Sequence, residues 1–341
     1  VLDDIKNIIT EFFQDKADLS FASNLVVVSI DKDKSIINVV VNFFIGDYAN
    51  QLKEKIESST SFPYKIIITQ RALAHKITNM VQGKSNIKNI VAISSAKGGV
   101  GKSTLTLNTA LAMAQLGAKV GILDADIHGP SQPTMQGIKK EDISQRNSGI
   151  DPVKKNGIES ASISYFMTKD DPVVWRGPMV SRALEQLVHD IKWGDLDYLF
   201  IDMPPGTGDI ALTLVKKLPL TASLIVTTPQ DIACIDAKKS IDMYAKTNIP
   251  LLGVVENMSG YTCEHCGHLN NIFGHGGGDR LSQLSKINFL AKVPLLSKIR
   301  ICADEGVPVV LDNPDIADIY KNISFKIGWQ LALRELDNMR N

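Results

Sequence analysis

Residues 96–103 read Ala-Lys-Gly-Gly-Val-Gly-Lys-Ser between an apolar run and a helical pattern. Little else in a sequence limits the fold so tightly. The stretch matches G-x-x-x-x-G-K-[ST] except at its first position, where Ala96 replaces glycine. Gly98, Gly99 and Gly101 free the backbone to wrap a polyphosphate, with the N–H groups of the loop, Val100 included, aimed at it. The helix that follows adds a favourable dipole for an anion. Lys102 is expected to reach the β- and γ-phosphates, Ser103 to ligate Mg²⁺, and Thr104 to touch the α-phosphate.

The texture around this loop fixes the fold class. Apolar strands are expected at 90–95, 120–124, 198–202, 223–228 and 253–257, with helical patterns between them at 103–116, 181–190 and 235–247. Near-continuous apolar strands alternating with helices predict an α/β fold, a mostly parallel sheet of seven or eight strands flanked by helices. Ligands in such sheets bind at the carboxyl ends of the strands. Ahead of it, residues 1–83 predict a small α+β domain in the order α-β-β-α-β. Its opening helix has Leu2, Ile5, Ile8, Ile9, Phe12 and Phe13 on one face. Residues 84–87 are the expected linker, and 88–341 the nucleotide-binding domain.

Carboxylates close two strands. Asp124 and Asp126 form a D-x-D pair at one mouth, with Asp124 supporting the Mg²⁺ shell or Lys102. Asp202 ends Leu199-Phe200-Ile201, where a carboxylate holds Mg²⁺ through water. The stretch Pro204-Pro205-Gly206-Thr207-Gly208-Asp209 joins a stiff bend to a mobile loop, with Asp209 either sensing the nucleotide or capping a helix.

Composition narrows the partners. Lysine plus arginine and aspartate plus glutamate both number 37, so the net charge is zero, and nothing draws the chain to nucleic acid or an anionic membrane. No run of about 18 apolar residues occurs, and the acidic amphipathic start differs from a signal peptide, so a cytoplasmic location is expected. The amphipathic stretch 325–336, with Trp329 in its apolar stripe, is expected to pack on the core. The doublets Lys139-Lys140 and Lys154-Lys155 fit solvated loops.

Four cysteines in 341 residues are too few for a disulfide scaffold. Cys234 and Cys302, beside apolar neighbours in helical patterns, read as buried thiols. Cys263 and Cys266 stand at C-x-x-C spacing, which grips a metal centre but cannot complete a tetrahedral site. Three fillings stay open: a cluster shared between two chains, a zinc ion held with His268, with His265 and His275 also near in sequence, or an unmetallated redox pair.

With these motifs in hand, the chain resembles a known family. Lys97 ahead of the glycines resembles the deviant Walker A ATPases, the group of MinD, ParA, the nitrogenase iron protein and Mrp/ApbC. Met258-Ser259-Gly260 with the cysteine pair, Phe273-Gly274 with Gly276-Gly277-Gly278, Trp175-Arg176-Gly177-Pro178-Met179, the run 202–209 and Gly306-x-Pro308 are similar to the Mrp/ApbC iron–sulfur cluster carriers over about residues 88–312. The resemblance implies an ATP-hydrolysing homodimer in which Lys97 reaches the partner's nucleotide and Asp126 orients the attacking water. It implies that Asn257 meets the adenine edge, with Pro229 and Gln230 as the other wall, and that His128-Gly129-Pro130-Ser131 continues the switch. It further implies a labile [4Fe-4S] cluster bridged by Cys263 and Cys266 of two chains, and apo iron–sulfur proteins as recipients. The rival within the superfamily is a ParA/MinD-type positioning ATPase acting on DNA or membrane.

Overall fold

The computed structural model describes residues 2–17, 25–60, 63–75, 86–127, 129–143, 145–146, 149–166 and 191–338. The expected helix at 181–190, the Trp175–Met179 motif and His128 lie outside the described residues.

The amino-terminal unit follows the expected order: α1 (Leu2–Ala17), β1 (Val26–Asp31), β2 (Ile36–Val41), α2 (Tyr48–Ser59) and β3 (Lys65–Gln70). β1 runs antiparallel to β2 and β2 parallel to β3. Alternation along β2 buries Ile37, Val39 and Val41, onto which α1 packs Ile5, Ile9, Phe12 and Phe13, and α2 packs Leu52 and Ile56. β2 stops at Val41, and beyond it the chain turns, where Ile45 and Gly46 donate their backbone N–H groups to the Gln70 side chain.

The second unit begins with β4 (Ile87–Ser94), α3 (Lys102–Gln115), β5 (Val120–Asp124) and the one-turn α4 (Gln132–Met135). Four short strands follow: β6 (Gln145–Arg146), β7 (Gly149–Ile150), β8 (Val153–Lys155) and β9 (Ile158–Ser162). Then come β10 (Leu196–Asp202), α5 (Asp209–Lys217), β11 (Ala222–Thr227), α6 (Asp231–Lys246) and β12 (Leu251–Asn257). A small hairpin, β13 (Tyr261–Thr262) and β14 (Leu269–Asn270), precedes α7 (Gly277–Ser285), β15 (Phe289–Val293), α8 (Ser297–Glu305), α9 (Val309–Asp312) and α10 (Pro314–Asn338).

Eight strands form the central sheet in the order β15-β12-β11-β4-β10-β5-β9-β8, all parallel except β8, which pairs antiparallel with β9. Burial on both faces explains the unbroken apolar strands. Along β4, Val91 and Ile93 enter one core with Leu105 and Leu107 of α3 and Tyr320 and Ile323 of α10. Ile90 and Ala92 enter the opposite core with Leu214 of α5 and Ile241 and Tyr244 of α6. None of the described helices is long and apolar enough to cross a membrane.

The two units share one core. Phe43 sits 5.3 Å from Phe325 and 5.5 Å from Trp329 between ring centroids, with Phe13 against both, so the stripe of α10 is filled by the amino-terminal unit. The His75 ring, between Asn89 at 2.6 Å and the Leu331 carbonyl at 2.7 Å, adds a buried polar clasp. The stretch expected as linker is ordered at its end: Asn86 donates to the carbonyls of Trp193 and Gly194, and Ile87 already begins β4. Because Trp329 is only 1% exposed and bridges both units, Trp329→Ala is expected to cost about 3–5 kcal/mol. The readout is a lower urea midpoint, with both units unfolding together.

Candidate nucleotide site and cysteine hairpin

The phosphate loop takes its shape from glycine where only glycine fits. Gly101 has φ 82°, and a Cβ there would fall 2.1 Å from the Asn257 amide nitrogen. That nitrogen donates to the Val100 carbonyl at 2.8 Å, tying the end of β12 to the loop. A Cβ on Gly98 or Gly99 would meet nothing within 4 Å, so the loop's outer surface is open backbone facing a cleft of about 750 Å³. That volume suits a small-molecule ligand (roughly 300–1,000 Å³). The lining includes Lys97, Lys102, Ser103, Thr104, Asp126 and Asn257. Lys97 is exposed, and its charge is felt by Asp236 on α6, whose carboxyl is lowered first by the hydrogen bond from Lys239.

Beneath the loop lies a buried cluster of charges. The Lys102 ammonium donates to Asp202 in a close contact, lies 3.7 Å from Asp126 and 3.2 Å from the Ser103 hydroxyl. Asp202 also accepts from the Thr106 hydroxyl at 3.3 Å. Asp124, fully buried, organises the switch backbone and feels the Lys102 charge. It accepts from the N–H of Asp126 at 3.1 Å, the N–H of Gln132 at 3.0 Å and the Ser162 hydroxyl at 3.4 Å. Asp126 lines the cleft, and one of its oxygens is buried with no hydrogen-bond partner among the described residues, an acceptor that suits a hydrated Mg²⁺ or a held water.

Gln132 was not legible in the sequence as a site residue. Its amide nitrogen donates to the Ser103 carbonyl at 2.9 Å and to Asp202 at 3.0 Å, joining the phosphate loop, switch and β10. A Ser-Gln-Pro helix start is visible in the sequence, but the burial of its glutamine depends on sheet order.

Pro229 packs against α7: its carbonyl would sit 2.2 Å from a Cβ on Gly277. The wall beside Asn257 is built after β15, by Pro294, Leu295 and Leu296 with Ile299 and Arg300 of α8. Hydrogen bonds from Ser259 N–H to the Val293 carbonyl (3.0 Å) and from Leu295 N–H to the Gly260 carbonyl (2.7 Å) hold that segment beside β12. Asp209 is exposed in the first turn of α5, and Gly208 occupies the cap position.

The cysteine pair rides on the β13–β14 hairpin, closed by Cys263 N–H to the His268 carbonyl and Gly267 N–H to the Cys263 carbonyl. The N–H groups of Cys266 and then His265 point at the Cys263 sulfur and hold its thiol below the usual range. Cys266 is exposed and Cys263 half-buried. Among the described residues no three His, Cys, Asp or Glu side chains gather into a metal-holding group. Of the other thiols, Cys302 is buried as expected, whereas Cys234 is only half-buried.

A parallel sheet with a glycine-rich loop, a buried lysine and strand-end carboxylates at one mouth defines a P-loop nucleotide triphosphatase of the MinD/ParA architecture. The chain belongs to the ParA class of NUBPL iron-transfer P-loop NTPases, whose family profile matches residues 86–328. Membership makes it an ATP-hydrolysing enzyme by class. It is 50% identical to an iron–sulfur cluster carrier protein of Pseudomonas fragi over 74% of this chain and 90% of the relative. A carrier of the same description from Haemophilus influenzae is 41% identical over 92% of this chain and 87% of the relative, an alignment that extends into the amino-terminal unit. Among solved structures, an ADP-bound nucleotide-binding protein from Archaeoglobus fulgidus aligns with TM-score 0.58 and 36% identity, covering 65% of this chain and 87% of that one. MinD of Aquifex aeolicus, at 22% identity and TM-score 0.51, over 70% of this chain and 96% of that one, shares the fold.

Burial, then the neighbouring Asp202, push the Asp124 carboxyl up to about 7 from 3.8, against the two backbone N–H bonds it accepts. The folded protein keeps this proton where the unfolded chain has lost it. Stability is therefore expected to fall as pH rises from about 4 to about 7, by a few kcal/mol on the order of magnitude, and to level off above. Urea unfolding of the nucleotide-free protein across that window checks it; Asp124→Asn should flatten the slope, and an unchanged slope would assign the titration elsewhere.

Proposed function

We propose that the chain is an ATP-driven carrier of iron–sulfur clusters that works as a homodimer. The observation that carries this reading is the cysteine pair: one exposed and one half-buried thiol on a hairpin fixed to the wall of a nucleotide cleft, with no third ligand among the described residues. Two thiolates per chain make half of a four-thiolate site, and a second copy supplies the rest, enough for one [4Fe-4S] cluster as cargo. Apo-proteins that need such a cluster are the recipients, and a reducing cytoplasm is the compartment such open thiols require. The names of the carrier relatives support the assignment.

For the ATPase step, Lys102 and the loop N–H groups neutralise the β- and γ-phosphates, and Asp126 holds the attacking water. Lys97, exposed at the cleft, reaches the partner's phosphates. The donor set fits Mg²⁺: the Ser103 hydroxyl and, through water, Asp202 and the free oxygen of Asp126 would hold it. When bound it supplies positive charge at the phosphate oxygens. Asn257 spends its N–H on Val100, which leaves its carbonyl oxygen to accept from the adenine amino group.

Anaerobic reconstitution with iron and sulfide should give an absorbance band near roughly 400 nm in the wild type and none in the Cys263→Ala/Cys266→Ala double variant. Equal iron uptake by both sinks the cluster assignment, and stoichiometric zinc in the protein as purified favours the zinc site. Lys102→Ala is expected to lower ATP turnover by about 100-fold or more. Lys97→Ala is expected to keep nucleotide binding while losing both turnover and nucleotide-dependent dimerisation, read by sedimentation with Mg²⁺ and ATP; a strictly monomeric wild type under those conditions would overturn the dimer.

A further inference from the structure

One short helix touches the switch, the nucleotide cleft and the cysteine hairpin. α8 puts Ile299, Arg300 and Ala303 on the cleft wall. At its carboxyl end, Gly306 (φ 71°) crosses Gly137 (φ 61°) at backbone contact: a Cβ on Gly306 would lie 2.8 Å from the Gly137 Cα, and one on Gly137 would lie 2.9 Å from the Gly306 carbonyl oxygen. Gly137 follows α4, whose first residue, Gln132, binds Asp124, Asp202 and the Ser103 carbonyl. So the backbone that frames the phosphate-side carboxylates rests directly on the end of α8.

At the opposite end of the helix, the Ser297 hydroxyl donates to Glu264 at 2.7 Å. Glu264 lies between Cys263 and Cys266. The base of the same hairpin is held by the two backbone bonds at Ser259 and Gly260, to the strand and wall that lead into α8. A nine-residue helix is about 13 Å long and moves as a stiff body. Both of its ends are pinned: one by the close glycine crossing, the other by the Ser297 bond to the hairpin and, one residue on, by the Lys298 ion pair to Asp312 of α9 at 2.7 Å.

We propose that α8 is the rod by which nucleotide occupancy reaches the cysteine pair, and that Ser297 is the positioning residue that couples the rod to the Cys263–Cys266 loop. A ligand in the cleft presses on Ile299 and Arg300 and resets the switch segment at Gly137; α8 shifts, and Ser297 carries Glu264 and the thiols with it. The proposal rests on reading the cleft as the nucleotide site and the hairpin as the cargo site, and adds to that reading the side chain that links them. Coupling of this kind is a free energy shared between two sites through an element with two positions.

The test uses the full, metal-free chain and reads thiol alkylation by iodoacetamide at Cys263 and Cys266 by peptide mass, with and without Mg²⁺ and a non-hydrolysable ATP analogue. The affinity of that analogue is measured in parallel. In the wild type the nucleotide is expected to change the alkylation rate by at least about fivefold. Ser297→Ala is expected to reduce that change to under about twofold at unaltered nucleotide affinity, while Ser297→Thr, which keeps the hydroxyl, restores it. A Ser297→Ala chain that keeps the full nucleotide effect, as burial of the thiols under a partner subunit alone would give, overturns the proposal. So does a wild type that binds nucleotide with no change in alkylation. Neither result touches the carrier assignment, which stands or falls on cluster reconstitution.

Discussion

The Lys102 ammonium, buried among Asp202, Asp126 and the Ser103 hydroxyl, is the contact on which the site depends. Burying charge is costly unless it is paired, and among the described residues one cation here serves more carboxylate than it can neutralise. The fold meets the deficit in three ways. Asp124 holds its proton to higher pH, Gln132 donates to Asp202, and one oxygen of Asp126 is left without a donor. A site short of positive charge favours Mg²⁺, and on the proposed reading Lys102 would exchange Asp202 for a phosphate without leaving the interior. Gln132 would feel that exchange first, because it grips both Asp202 and the loop carbonyl of Ser103.

The amino-terminal unit bears on the same site from behind. Its Phe13 and Phe43 seat the aromatic stripe of α10, and α10 packs along α3 with Ser324 donating to the Thr109 carbonyl at 2.8 Å. α3 begins at Lys102. The chain of support therefore runs from a small sheet through one long helix to the helix that presents the phosphate lysine. A unit docked this way braces the loop; the shared core removes the freedom a tethered domain would have.

What the sequence disclosed follows from how local each signal is. The phosphate loop and the strand-end aspartates are set by neighbours a few residues away, so their elements could be placed by inspection. β9, reading Ile-Glu-Ser-Ala-Ser, has too little apolar content to announce a strand, and β15 is five residues long. Contacts between distant segments were harder still. Pro229, which the resemblance places on a wall of the base site, packs against Gly277 of α7, and the segment after β15 lines the cleft beside Asn257. Gln132 and Ser297 were invisible for the same reason. Their partners lie 70 and 33 residues away, and only sheet order brings them together.

The cysteine hairpin shows why a half-built site is useful for a carrier. A closed four-ligand site within one chain would bind metal as a structural staple and release it with difficulty. Here the two sulfurs stand on a two-stranded hairpin, with Cys266 exposed and backbone N–H groups already directed at Cys263. The loop is thus organised for a thiolate while its open side faces outward. A two-fold dimer completes such a site by symmetry, since the same patch on each copy contributes the same two ligands. A cluster shared in that way would be gripped only as firmly as the two chains grip each other. In the proposed homodimer, where a second copy completes both the exposed lysine of the phosphate loop and the cysteine hairpin, nucleotide chemistry that tightens or loosens the pair would act on the cargo directly, and an acceptor's thiolates would compete with ligands that are already at the surface.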